Sequence, residues 1–224
     1  VVSPAARRAT EAAIGVQALA LAATGSRGAV LGLCAATGAY AFLRWSRRIR
    51  LALGGLAVFG VAAVIASPAR PLETTAAGRL HLWRIVAPQV HDAPLAGQGP
   101  GAVELRFPEW QRAAAREGVR DRRFAGLTDH VHNDYLEALV ERGVPGLLSL
   151  LAPLGALAWL AWRVARPASS IVAGSVAAVV AASACALVDF PLARPVELTW
   201  WWVGVALAWR VVGEEPADAS APRH

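Results

Sequence analysis

Lysine is absent from this 224-residue chain, and cysteine and charge are both scarce. Without lysine, all 22 basic residues are arginine, and against 16 acidic residues they leave a net charge of +6. The two cysteines, Cys34 and Cys185, sit in apolar runs with no CxxC neighbour and no nearby ligand set. They read as small buried hydrophobes, and a secreted disulfide scaffold is excluded. Charged residues make up 17 % and hydrophobic ones 56 %, where soluble domains carry about 25 % and about 45–50 %. The mean hydropathy is +0.43. Disorder is thereby excluded, and a water-soluble globule is disfavoured. In so apolar a chain the arginine excess points to membrane topology and not to nucleic acid.

What is present is a series of apolar stretches. A spanning helix needs about 20 largely apolar residues, and six segments are read as spans: 12–24, 28–43, 51–67, 143–162, 168–188 and 196–212. The first two come from one long stretch broken at Thr24-Gly25-Ser26-Arg27-Gly28. Arg44, Arg47, Arg48 and Arg50 crowd one connector, and Arg163 and Arg166 another. Both connectors and both termini are therefore assigned to the cytoplasmic side. The Ser26-Arg27 turn, the connector 189–195 and the long segment 68–142 then share the outer side. The expected architecture is an all-α polytopic transmembrane helix bundle, a single membrane domain with one large periplasmic loop region. The first ten residues are polar and no clean cleavage site follows, so no signal peptide is read. The opening valine suggests an alternative start codon or a fragment.

Segment 68–142 is the one polar region large enough for chemistry. Around 108–123, Trp110, Ala113, Ala114 and Phe124 are set against arginines in a loosely helical pattern. Such a segment is either an interfacial helix on anionic headgroups or a solvated face. Its densest polar cluster is Thr128-Asp129-His130-Val131-His132-Asn133-Asp134-Tyr135. Leu136, Leu139, Val140 and Leu147 follow at helical spacing, so a helix is expected to start near Thr128 or Asp129, with a bend at Gly143 and Pro145. His132 then lies in the first turn. A neutral imidazole there suits general-base work, although the helix N-terminus and the flanking Asp129 and Asp134 pull its protonation in opposite directions. His130, His132 and Asp134 also spell HxHxD, and a metal-dependent hydrolase is the alternative this motif raises. Tyr135 stands where a further histidine ligand belongs, and no strand precedes the loop.

The stretch Ala93-Pro94-Leu95-Ala96-Gly97-Gln98-Gly99-Pro100-Gly101 invites a phosphate-loop reading. It lacks the GK[ST] ending and a preceding strand, which favours a plain turn. Arg79 and Arg27 are stronger anion ligands, because a guanidinium group binds phosphate bidentately. Arg27, flanked by Gly25 and Gly28 between two apolar spans, is costly unless it faces a polar cavity. The assigned topology puts Arg27, Arg79 and His132 on one side of the membrane. An arginine-lined cavity that only binds anionic lipid, in a transport or assembly subunit, is a third reading.

Three ordered blocks resemble the O-antigen ligase and polysaccharide polymerase family of bacterial inner membranes. They are Leu21 to Ala29 around Ser26-Arg27, then Gly78-Arg79 through Trp83 to Gly99, and His132-Asn133-Asp134-Tyr135-Leu136 with Glu141, Gly143 and Gly146. The resemblance implies a GT-C-like, metal-independent glycosyltransferase with no cofactor. Its substrates would be a glycan on undecaprenyl diphosphate and a glycan or lipid acceptor, within membrane lipid. His132 would deprotonate the acceptor hydroxyl, and Arg27 and Arg79 would hold the diphosphate. Asn133, Asp134 and Tyr135 would orient the histidine or line the acceptor path, and Arg84 would be a second phosphate contact. Family members carry more spans ahead of the Ser-Arg block, so the chain is expected to be a C-terminal portion of a longer architecture.

Overall fold

The computed structural model describes residues 3–46, 48, 72–124, 126–163 and 168–214, and among these there are helices and no strands. The expected span at 51–67 lies outside the described residues. Helix α1 (Pro4–Thr24) ends where Gly25 turns at φ 57, and α2 (Arg27–Arg44) starts two residues later. Ser26 makes the break, because its side-chain oxygen accepts the Ala29 N–H at 3.3 Å as an N-cap. The expected break between the first two apolar segments is therefore present, although α1 also takes in the polar residues before 12.

The segment expected as a loop region folds into two helices, α3 (Leu72–Val86) and α4 (Ala102–Arg116), joined by a 3-10 turn at Ala87–Asp92. Helix α4 starts earlier than the 108–123 pattern suggests and turns Trp110 inward, leaving it 3 % exposed. The reason is packing. Phe107 and Trp110 join Ile85, Val86, Val103, Val131 and Val140 in a core of their own, and the arginines take the outer face.

Helix α5 (Asp134–Arg163) is followed by α6 (Ser170–Cys185), a 3-10 turn (Pro191–Ala193) and α7 (Pro195–Glu214). Among the described residues α5 alone is long and apolar enough to cross a membrane, and α6 is a shorter apolar helix. The tryptophans and charged ends of α7 dilute its apolar character. Helix α2 runs antiparallel to α6. The Leu43 carbonyl accepts the Ala168 N–H at one end, and Cys185 Sγ reaches the Gly28 carbonyl at the other. Gly32 permits the contact between them, since a Cβ there would lie 2.9 Å from the Ala181 carbonyl oxygen. Helix α7 returns along α6, with Trp201 Nε1 donating to Ser183 Oγ at 2.9 Å. Trp159 and Trp209 stack at 6.5 Å where α5 and α7 end. Helices α2, α5 and α7 thus run one way and α6 the other, and the N-termini of the first three gather at one end.

Two hydrophobic cores result. The bundle core contains Leu150, Leu157, Val172, Val176, Val179 and Trp201, and the outer core is that of α3 and α4. Helix α5 belongs to both, giving Ala138 to the bundle and Val140 to the outer core. It bends as expected at Gly143 (φ 65, ψ −162). The bend releases the carbonyls of Val140 and Glu141, which accept the N–H groups of Gln98 and Gly99 at 2.8 and 2.9 Å. In return Pro94 O accepts the Val144 N–H at 2.9 Å. The glycine-rich loop is therefore a clasp on a kinked helix.

The clasp sets a test. A Cβ on Gly97 would overlap the Glu141 carbonyl, and one on Gly143 would overlap the Leu95 carbonyl, both at positive φ. Gly97→Ala and Gly143→Ala should each cost about 3 kcal/mol or more in thermal unfolding of the detergent-solubilised protein. Gly99→Ala, at φ 101 but with open space around it, should cost only the backbone strain of about 1–2 kcal/mol. Equal losses at all three positions would contradict the clasp.

Candidate active site

His132 sits at the seam between the two cores. Its neighbour Val131 is fully buried in the outer core, while Asp134 N–H donates to the Ala186 carbonyl of the bundle at 2.9 Å. Helix α5 does not start at Thr128 or Asp129, as its sequence suggests, but at Asp134. Asn133 is the cap, its Oδ1 accepting the Leu136 N–H at 3.0 Å. The residues before it have other partners. Thr128 Oγ1 donates to the His130 carbonyl at 2.7 Å, and Trp83 Nε1 to the Val131 carbonyl at 2.9 Å. Glu137, 7 % exposed, takes both the His130 ring (Nδ1–Oε1, 2.7 Å) and the Val131 N–H (3.1 Å). His132 lies between these anchors and the cap, and is the single non-glycine among the described residues with positive φ (53).

That conformation turns its imidazole into a cavity of about 300 Å³ lined by Gly78, Arg79, Leu82, Phe107, Phe124 and Thr128 among others. On the other side Nδ1 faces Asp189 Oδ1 at 3.5 Å. This is longer than a good hydrogen bond, and Nδ1 is shielded from solvent with no hydrogen-bond partner among the described residues. The ring also meets the edge of Phe190 at 4.9 Å, and His130 stacks on the same phenylalanine at 4.4 Å. Burial pushes the His132 pKa down from the usual imidazole value, and the Arg79 cation pushes it the same way. Asp189 opposes both without prevailing.

The other expected site residues are distributed as follows. Arg79 shares the cavity with His132. Arg27 starts α2 beside the connector that carries Asp189, since Gly28 packs within reach of Val188. Arg84 is on another face of α3, in a groove with Leu80, Trp83, Pro88 and His91, and not in the His132 cavity. Asn133, Asp134 and Tyr135 do not line the cavity either. Asp134 Oδ2 accepts the Leu192 N–H at 2.7 Å, which fixes the turn after Phe190, and Tyr135 donates to the Ser183 carbonyl at 2.9 Å. They hold the start of α5, and the Asp189–Phe190 turn, where they meet His132.

His130, His132 and Asp134 diverge toward Glu137, Asp189 and Leu192. Among the described residues no three His, Cys, Asp or Glu side chains are grouped to hold a metal. Glu137, Asp189 and Phe190 belong to the site and were not singled out in the sequence. Asp189 had a usable signal, as the one carboxylate of an apolar connector assigned to the same side as His132.

A family model described as O-antigen ligase matches residues 12–151, more than half of the chain. No curated protein and no solved structure matches it. The matched segment contains Arg27, Arg79, His132 and the Gly97–Gly143 clasp. The chain belongs to the O-antigen ligase family, membrane-integral bacterial enzymes that transfer glycans in polysaccharide biosynthesis.

Proposed function

We propose that this chain moves a glycan from undecaprenyl diphosphate to an acceptor hydroxyl at the periplasmic face of the bacterial inner membrane, as a multi-pass glycosyltransferase that needs no metal. The observation that carries this reading is His132 and Arg79 in one cavity, with Asp189 behind the imidazole. With Nδ1 facing a carboxylate, the neutral ring keeps its proton there, and Nε2 is the basic nitrogen. Nε2 takes the proton of the acceptor hydroxyl as its oxygen attacks the anomeric carbon. The bond from that carbon to the diphosphate oxygen breaks, and the lipid diphosphate leaves as an anion.

Arg79 holds that anion and stabilises the charge that grows on the departing oxygen. Arg27 supports it from α2, and the gathered N-termini of α2, α5 and α7 add positive dipole ends on the same side. The lowered pKa of His132 keeps the base unprotonated at neutral pH, and the same Arg79 cation contributes to both effects. The divergence of His130, His132 and Asp134 speaks against the hydrolase reading of HxHxD.

Release of undecaprenyl diphosphate from a glycan-loaded donor, measured in membranes containing the chain, tests the reading. Release should survive EDTA. His132→Ala should slow it by about 10²–10⁴-fold and Arg79→Gln by about 10²–10³-fold. His130→Ala, whose ring faces Glu137, should cost less than His132→Ala. Loss of release in EDTA, or equal losses at the two histidines, would restore the metal site.

The pH profile gives a second test. His132 acts when neutral, so the acid limb of the rate should lie below the ordinary imidazole value near 6.5. Asp189→Asn removes the charge that favours imidazolium and should move the limb to lower pH. Arg79→Gln removes the charge that opposes it and should move the limb upward in the residual activity. An unchanged limb in both variants would mean that another group is the base.

A further inference from the structure

Next to the His132 cavity, His81 of α3, the end of α4 and residues 119–122 line a second, open one of about 240 Å³. Its wall includes His81, Gln111, Arg112, Val119, Arg120 and Arg122, and Asp121 is the one carboxylate on it. The charge on that wall is one-sided. Asp121 is already occupied by Arg123, whose guanidinium meets both carboxylate oxygens at 3.1 and 2.7 Å and holds its pKa down to about 2. Among the described residues no carboxylate pairs with Arg112, Arg120 or Arg122. Arg120 hydrogen-bonds a neutral partner, the Ala115 carbonyl. Gln111 Nε2, shielded from solvent, has no hydrogen-bond partner among the described residues. Three guanidinium groups around an apolar patch of Ala115 and Val119 suit a ligand with a negative group and a compact polar body. The volume is below the usual ligand-pocket range of about 300–1,000 Å³, room for one sugar residue and not for a chain.

Phe124 stands between the two cavities. Its ring lines the first, and it packs 5.9 Å from the ring of His81, which lines the second. Gly78 lets it lie against α3, since a Cβ would come within 3.2 Å of the ring. The second cavity is built on the outer core and not on the bundle, so its occupant is the sugar part of a substrate and not its lipid. We infer that this cavity binds an anionic sugar residue, bearing a phosphoryl or carboxylate group, of the glycan whose reacting end lies in the His132 cavity. The role in transfer rests on the glycosyltransferase reading; the binding itself does not.

The test is equilibrium dialysis of radiolabelled glucose 6-phosphate, glucuronate and glucose against the protein in phosphatidylcholine nanodiscs at low salt. Both anionic sugars should bind saturably and glucose should not. The double variant Arg112→Gln/Arg122→Gln, at two exposed positions, should weaken binding by at least about tenfold, the scale of one charge-assisted hydrogen bond. Its melting temperature should stay that of the parent. Arg79→Gln, in the neighbouring cavity, should leave glucuronate binding unchanged.

Equal binding of glucose, or loss in Arg79→Gln but not in the double variant, would overturn the inference. Inorganic phosphate competing as well as the sugar phosphate would reduce the site to one for any anion and overturn the sugar part. Loss of binding when phosphatidylglycerol replaces part of the phosphatidylcholine would assign the cavity to lipid headgroups instead. In the transfer assay the double variant should raise KM for whichever substrate carries the anionic sugar, donor or acceptor, and keep kcat. A fall in kcat at constant KM would contradict it. If the chain transfers no glycan, the dialysis still reads the binding, so the two proposals fail separately.

Discussion

The site depends on one constraint: the first ten residues of α5 have to satisfy two cores at once. A helix N-terminus leaves its first N–H groups without partners, and here the shortage organises the region. Asn133 caps one of them, Asp134 gives its own N–H to the Ala186 carbonyl, and Glu137 reaches back to the Val131 N–H and the His130 ring. Six residues beyond Glu137, the bend at Gly143 frees two carbonyls for the clasp of the Gly97 loop. The bonds to Ala186, Gln98 and Gly99 tie the start of α5 to distant parts of the chain, and the others fix the turn that precedes it. His132 sits where these ties meet, at a positive φ that is uncommon outside glycine.

Buried polar groups do this work at a cost. Asp134 is 4 % exposed and Glu137 7 % exposed, and an unpartnered carboxylate at either place would be strongly destabilising. Both are partnered by hydrogen bonds from the chain, which converts the cost of burial into positional specificity. Removing one partner would therefore disturb the neighbouring core and the site together. The arginines behave differently. Arg79 has a cavity in front of it, and Arg112 and Arg122 are exposed at the second cavity, so their charge remains available to a ligand.

Much of this was legible in the sequence, and what was not has identifiable causes. Helix α2, the break at Ser26 and the bend at Gly143 were readable because capping and helix breaking are local and involve few residue types. The pairing of Arg79 with His132 followed only from assigning both to one side of the membrane, and the cavity makes it specific. The start of α5 was misplaced because Asp129 is as good a cap as Asn133 in isolation. The tie of Val131 and His130 to Glu137 decides between them, and that tie depends on the outer core. The set of Trp110 against the arginines was readable, but the start of α4 was not, because Val103 and Phe107, which anchor it in the outer core, lie upstream of the 108–123 pattern. Glu137 and Asp189 carried no local signature, since their partners lie 7 and 57 residues away in the chain.

The HxHxD spelling shows why spacing alone misleads here. Alternate residues share a face in an extended strand, and on that geometry two imidazoles and a carboxylate would converge on one ion. In this chain the three residues span an N-cap: His130 precedes it in irregular backbone, His132 adopts positive φ, and Asp134 is already helical. The backbone changes conformation twice within five residues, so successive side chains point to Glu137, to the cavity and Asp189, and to Leu192. What looks like a ligand set is a turn whose polar side chains each hold a separate neighbour. Only the middle one lines the cavity, with Nδ1 turned toward Asp189, and the flanking pair fix the turn from which it projects.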